Sequence, residues 1–322
     1  MTQGGRRVRA RWHGRAIRVP FRTAPSWRGL RSRAGTHPGR GRPLYLASPS
    51  STSRRTFLLA GGAGLAVVGL AACGVKPARR GATEQGGSAG TAGERSGNLA
   101  SGLLSSRPGP VTSPAPATGL QPLGLDTDRD ALLYVPDQVT PGAPAPMALL
   151  LHGAGGTAEG GLAPLLDLAD ETGLVLLSPS ARDRTWDVLL GGYGPDIAFI
   201  DRALTTTFAR QTIDPDHLAI GGFSDGASYA LSVGLVNGTL FSHIMAFSPG
   251  FVAPGSTSGS PRVFVSHGTA DDVLPIGATS RRIVPRLELD GYEVRYREFE
   301  GGHAVPPAIA GEALDWFLGP GD

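Results

Sequence analysis

From about Gly119 to Gly319 the apolar residues come in short runs that alternate between strand-like and helix-like spacing. Met147–Leu151, Leu174–Leu177, His217–Phe223, His243–Phe247 and Arg262–Val265 are brief and nearly continuous, as buried strands are. Leu162–Thr172, Asp196–Thr212, Asp225–Leu235 and Pro275–Leu289 separate them; in Asp196–Thr212, Ile197, Phe199, Ile200, Leu204 and Phe208 recur close to the helical period. Pro285 is expected to bend or break the last of these. A hairpin precedes the series, Leu120–Leu125 and Ala131–Val135 around Asp126-Thr127-Asp128-Arg129. Tyr292–Phe299 alternates as an outer strand, and Ala308–Leu318 closes the chain as a helix. Such alternation predicts an α/β domain, a mostly parallel central sheet flanked by helices. Roughly 200 residues suffice for one such domain burying about 70% of its unfolded surface.

Composition removes several kinds of site. Cys73 is the chain's one cysteine, so no intrachain disulfide framework and no Cys-rich metal site is expected. The seven histidines are scattered without paired-ligand spacing, so a catalytic metal is not expected.

The chain's net charge of +3 hides a division. Residues 1–72 hold 14 arginines and no acid. Residues 73–322 hold 16 basic residues against all 27 acidic ones, a net charge of −11. Residues 1–52 therefore read as a basic extension, either a long signal n-region or a start set too far upstream, rather than a nucleic-acid arm. Residues 53–73 follow with Ser53-Arg54-Arg55-Thr56-Phe57-Leu58-Leu59 and the apolar run Leu58–Ala72, ending Leu70-Ala71-Ala72-Cys73-Gly74. A paired arginine before an apolar run too short to span a bilayer comfortably is a signal-peptide pattern. It resembles a twin-arginine export signal, and its end resembles a lipobox. That resemblance implies passage through the twin-arginine machinery, lipidation at Cys73 and a membrane-anchored, extracytoplasmic protein; an uncleaved anchor is the alternative. Residues 74–118, rich in Gly, Ser, Ala, Thr and Pro, are expected to be a flexible linker to a catalytic domain at 119–319.

Gly222-Phe223-Ser224-Asp225-Gly226 is a G-x-S-x-G match with a strand running into it and a helix leaving it. That context lets a serine project above the sheet edge, with the glycines removing side chains that would collide. A helix N-cap is the plainer role for Ser224. Serine needs a base. His217 and His243 open their strands and so lie at the wrong edge, while His152 and His267 sit in His-Gly turns. His303, in Glu300-Gly301-Gly302-His303, is the candidate base. Asp271 and Asp272 can each supply the orienting carboxylate, and an ordinary cap cluster is the alternative for that pair. Oxyanion donors are expected from the backbone N–H of Asp225 and, in His152-Gly153-Ala154-Gly155-Gly156, of Ala154. Trp186 and Tyr193 follow a strand at the same edge, either lining a substrate pocket or packing under a loop.

LLLHGAGG, GGFSDGAS, SHGTADDVLP and GYEVRYREFEGGH, spanning Leu149 to His303, together resemble the α/β-hydrolase superfamily. They are similar to its bacterial phospholipase/carboxylesterase and polyhydroxybutyrate-depolymerase or feruloyl-esterase-like groups. The resemblance implies hydrolysis of a small-molecule or lipid ester through a serine acyl-enzyme without metal or cofactor, and its HG-x-x-D-x-x-x-P pattern selects Asp271 over Asp272. A peptidase or acyltransferase on the same scaffold, or a catalytically silent surface-binding lipoprotein, are the competing readings. Asp225 stands where relatives more often carry Gln, Ala, Met or Asn, and its charge is expected to disfavour strongly anionic substrates.

Overall fold

The computed structural model describes residues 100–253 and 255–319. The basic extension, the signal segment with Cys73 and the first part of the linker lie outside the described residues.

The described chain forms an eight-stranded sheet in the order β1-β2-β4-β3-β5-β6-β7-β8. β1 (Gly119–Pro122) and β2 (Ala131–Val135) form the expected hairpin, and β2 runs antiparallel to β4 (Val175–Pro179). From β4 through β3 (Ala145–Leu151), β5 (Ile213–Phe223), β6 (His243–Phe247), β7 (Arg262–Gly268) and β8 (Val294–Phe299) every pairing is parallel. The helices are α1 (Ala158–Leu162), α2 (Leu166–Thr172), α3 (Asp187–Leu190), α4 (Pro195–Phe208), α5 (Asp225–Val236), α6 (Ser280–Leu289) and α7 (Pro307–Leu318). Two apolar clusters, one on each face, hold them to the sheet. Leu149, Leu151, Ile220 and Val265 pack beneath α4 and α5 on one side; Leu150, Leu176, Met245 and Phe264 pack with Leu314 and Phe317 of α7 on the other. Side chains thus alternate between two buried faces, which is why the central strands read as continuous apolar runs.

Several boundaries differ from expectation for local reasons. The helix expected over Leu162–Thr172 is two, α1 and α2, parted at Pro164, which has no N–H to donate. β5 starts at Ile213 and its register against β3 slips around Asp214–His217, where His217 Nδ1 bonds Asp214 Oδ2 at 2.8 Å. α6 runs through Pro285 without breaking; the residue lies on the exposed side, where water can reach the carbonyl that loses its partner.

The flexible linker is corrected at its C-terminal end. Leu104 is buried in the core cluster, and its N–H reaches Asn237 Oδ1 at 2.8 Å while Asn237 Nδ2 donates to Gly102 O. The N–H groups of Ser105 and Ser106 both donate to Asp201 Oδ1, and those of Thr112 and Ser113 to Ala209 O. One apolar anchor and several polar ones hold residues 102–113 to α4 and α5, although the segment has no period to announce it.

Candidate active site

In this sheet β3 has β4 on one side and β5 on the other, so the strand order reverses beside β5, where α/β sheets open a crevice at their carboxyl edge. Ser224 ends β5 at that point. It has φ 57° and ψ −119°, a left-handed conformation that is strained for a residue with a side chain. Its N–H donates to Phe247 O, and α5 begins at the next residue. The turn passes so close to β3 that a Cβ on Gly226 would lie 2.1 Å from Leu151 O and 2.5 Å from His152 O.

The acid and base come from the ends of β7 and β8. Their loops are stitched by Thr269 N–H to Phe299 O and Ala270 N–H to Gly301 O. Gly268 makes that approach possible, since a Cβ there would meet Gly302 O at 2.3 Å. His303 Nε2 lies 2.8 Å from Ser224 Oγ, and its Nδ1 lies 2.7 Å from Asp271 Oδ2. The Phe223 ring covers the imidazole at 4.6 Å between centroids. Asp271 is buried and Asp272 exposed. Burial alone would raise the Asp271 pKa, but N–H groups of Leu274 and Val273 and the His303 imidazole outweigh it and hold it below the ordinary carboxylate value. This is a serine, an imidazole and a carboxylate in one hydrogen-bonded line, able to take a proton from the serine hydroxyl as it attacks.

The loop after β3 is braced on every side. Ala181 N–H donates to His152 Nε2 at 2.9 Å, so the imidazole proton sits on Nδ1, which donates to Gly153 O at 2.7 Å. Burial keeps His152 below its usual pKa and therefore neutral. Trp186 Nε1 donates to His152 O, Gly155 N–H to Arg184 O, and Arg129 reaches across from the β1–β2 turn to Gly156 O and Ala181 O. A Cβ on Gly153 would be 3.5 Å from Ser224 Cβ, so the loop lies directly against the serine. Ala154 and Gly155 line a cavity of about 340 Å³ together with Arg184, Thr185 and Leu190. Thr185 Oγ1 donates to Asp225 Oδ2 at 2.7 Å, joining this cavity to the residue after Ser224.

The two aromatics expected at the pocket are placed differently. Trp186 is fully buried, stacked on Tyr229 at 5.1 Å and bonded to the His152 carbonyl, so it packs under the loop. Tyr193 lines a neighbouring cavity with Pro195, sharing Leu190 and Asp183 with the first, and lies over Gly102, where a Cβ would meet its ring at 2.8 Å. The sequence reading missed the groups that hold this region. Asp187 accepts from Tyr229 OH and from the N–H groups of Gly194 and Asp196, and Asp196 accepts from Arg182 and Asp187 N–H. Burial raises the Asp196 pKa to about 6. An aspartate capping a loop from inside the core leaves no periodic or spacing signal. A cavity of about 950 Å³ between the end of α5 and α6 includes none of Ser224, Asp271 and His303. Among the described residues no group of three His, Cys, Asp or Glu is placed to hold a metal ion.

Fold and site define the class: a serine hydrolase built on the α/β-hydrolase fold. More narrowly, residues 197–309 match the phospholipase/carboxylesterase family, a stretch that contains the Ser224, Asp271 and His303 positions. Among solved structures, a thermophilic esterase from the Planctomycetes species Thermogutta terrifontis is similar at 17% identity and TM-score 0.50, over 63% of this chain and 92% of that one. Esterase PE8 is similar at 24% identity and TM-score 0.48 over 60% and 99%, and an acetyl xylan esterase from Aspergillus awamori at 17% and 0.49 over 62% and 99%. No curated protein sequence matches.

Proposed function

We propose that the protein hydrolyses carboxylic esters through a serine acyl-enzyme, with Ser224 as nucleophile, His303 as base and Asp271 as the orienting acid. The observation that carries this reading is the Ser224–His303–Asp271 line at 2.8 and 2.7 Å. Ser224 Oγ attacks the ester carbonyl and passes its proton to His303 Nε2. Asp271 holds Nδ1–H and stabilises the imidazolium. The backbone N–H groups of Ala154 and Asp225 take the oxyanion; one such donor is worth about 10²–10³ in rate. His303 then protonates the leaving alcohol, and on the return cycle it activates the water that releases the acid.

The test is a p-nitrophenyl ester chain-length series with fluorophosphonate labelling. Hydrolysis and a label on Ser224 are expected; an inactive protein left unlabelled at Ser224 ends the reading. Asp225→Asn is expected to raise kcat/KM selectively for anionic esters, about tenfold, because it removes a like charge one residue from the nucleophile. A gain confined to neutral esters counts against that role.

The same proposal places the enzyme outside the cytoplasm, exported by the twin-arginine route and tethered through acyl chains on Cys73. Residues 53–74 support it. The mature chain then starts at Cys73 with a net charge of −11, so anchoring rests on lipid and not on basic attraction. Intact mass of the membrane fraction is expected to give a diacylated chain beginning at Cys73, and Cys73→Ala to release the protein; a full-length chain of unmodified mass refutes this.

A further inference from the structure

The sequence sets His267 aside as a base, and in the structure it does not face Ser224. It lies in β7 with its side chain fully buried. Nδ1 is 2.7 Å from Ser280 Oγ and Nε2 is 2.8 Å from the Leu274 carbonyl. A carbonyl only accepts, so Nε2 carries the proton and Nδ1 accepts from the Ser280 hydroxyl. That same Nε2 lies 3.2 Å from Asp271 Oδ2, the oxygen that also accepts from His303 Nδ1 at 2.7 Å. The Nε2–H, whose direct bond is to the Leu274 carbonyl, thus also faces Asp271 Oδ2, so that one carboxylate oxygen receives a hydrogen bond from His303 Nδ1–H and a longer, shared contact from His267. The other oxygen is held by the N–H groups of Val273 and Leu274 at 3.0 and 2.8 Å.

Resting on the triad proposed above, we infer that His267 is a positioning residue for the reaction, a neutral second donor that aims Asp271 Oδ2 at His303 and shares its charge. Burial keeps this imidazole uncharged, so it donates without competing with the imidazolium formed on His303. Asp271 is thereby fixed at both oxygens before substrate arrives. A carboxylate whose charge is shared also attracts the imidazolium less, which leaves His303 readier to return its proton to the leaving alcohol. The neighbouring charges do not take over this role. Glu298 of β8 pairs with His267 in register but is drawn off by Arg281 of α6 at 2.7 Å, and Asp272 is exposed.

The experiment compares wild type, His267→Leu and His267→Gln in the pH profile of kcat/KM on p-nitrophenyl butyrate, with fluorophosphonate labelling of Ser224 in each. In His267→Leu the acid limb is expected to move to higher pH by about half a unit or more, as the undivided charge of Asp271 falls on His303. Its kcat is expected to fall about tenfold with KM within about twofold. His267→Gln is expected to restore both, because its amide brings two N–H groups to the place of Nε2. A leucine variant with the wild-type limb, or a glutamine variant no better than leucine, overturns the inference. If the leucine variant does not fold, ¹⁵N spectra of the wild-type ring decide: a neutral Nε2–H tautomer at pH 7 to 9 is expected, and an Nδ1–H or charged ring there overturns it. Unchanged His267 variants in a labelled, active enzyme sink this inference alone. An unlabelled Ser224 without hydrolysis sinks the esterase reading instead, while the ring spectra still test the contact.

Discussion

Ser224→Ala is expected to lower kcat/KM for a p-nitrophenyl ester by about 10⁴-fold or more and to abolish fluorophosphonate labelling. His303→Ala is expected to cost a similar factor, since without a base the Ser224 hydroxyl is a poor nucleophile at neutral pH. The decisive measurement is the double variant. Serine and histidine act on one proton in one step, so once either is gone the other has nothing to act on, and the double variant is expected to be no slower than the slower single one. Losses that multiply would mean that the two side chains work independently, and the 2.8 Å contact would then not be the catalytic one. Asp271→Asn belongs to the same series. It keeps the shape of the acid while allowing the wrong imidazole tautomer, and a loss of about 10³–10⁴ is expected. All these changes touch groups near the sheet edge, not the apolar clusters, so melting temperatures are expected to stay within a few degrees of wild type.

The sequence is most informative where one residue answers to several constraints at once. Ser224 must end an apolar strand, begin a helix and stand between two glycines, and each demand is visible as a local pattern. His303 follows from position along the chain, because carboxyl edges of parallel strands face the same way and the other domain histidines fall at strand starts or in His-Gly turns. Asp271 shows the limit of that logic. Spacing alone leaves two adjacent aspartates, and it is burial that separates them, one under the loop and the other in solvent.

What stays hidden in the sequence has no repeat. Trp186 at the correct edge of the sheet reads equally well as a pocket wall or as packing, and its stacking on Tyr229 places it in the core. Residues 102–113 read as linker because anchors such as Leu104 are single residues whose partners, Asn237 and Asp201, are about a hundred positions away. Arg129 and His152 hold the loop after β3 through carbonyl and N–H groups, which every residue type offers, so composition says nothing about them. Likewise His267 looks like any histidine in a turn until the 3.2 Å approach to Asp271 is seen.

The largest stability effect is expected at Gly226. In Gly226→Ala the new methyl would meet Leu151 O at 2.1 Å and His152 O at 2.5 Å, backbone atoms at the end of β3 and of the residue after it that cannot rotate away. Relief requires moving either β3 or the start of α5, which ties the cost to the whole sheet. Overpacking a well-filled interior costs about 1–3 kcal/mol, and a clash with backbone belongs at the upper end or beyond. For a domain of this size each kcal/mol lowers the melting temperature by about 2–4 °C, so a fall of about 6–12 °C or failure to fold is expected. Gly311→Ala in α7 is the matched control. Nothing lies within 4 Å of its Cβ position, so replacing a helical glycine there is expected to stabilise by about 0.4–1 kcal/mol. Opposite signs from one chemical change, read by thermal unfolding, would tie the Gly226 effect to the close approach of β3. If Gly226→Ala melts with wild type, β3 does not approach the turn so closely, and the loop that carries Ala154 is not held against Ser224 in the way described.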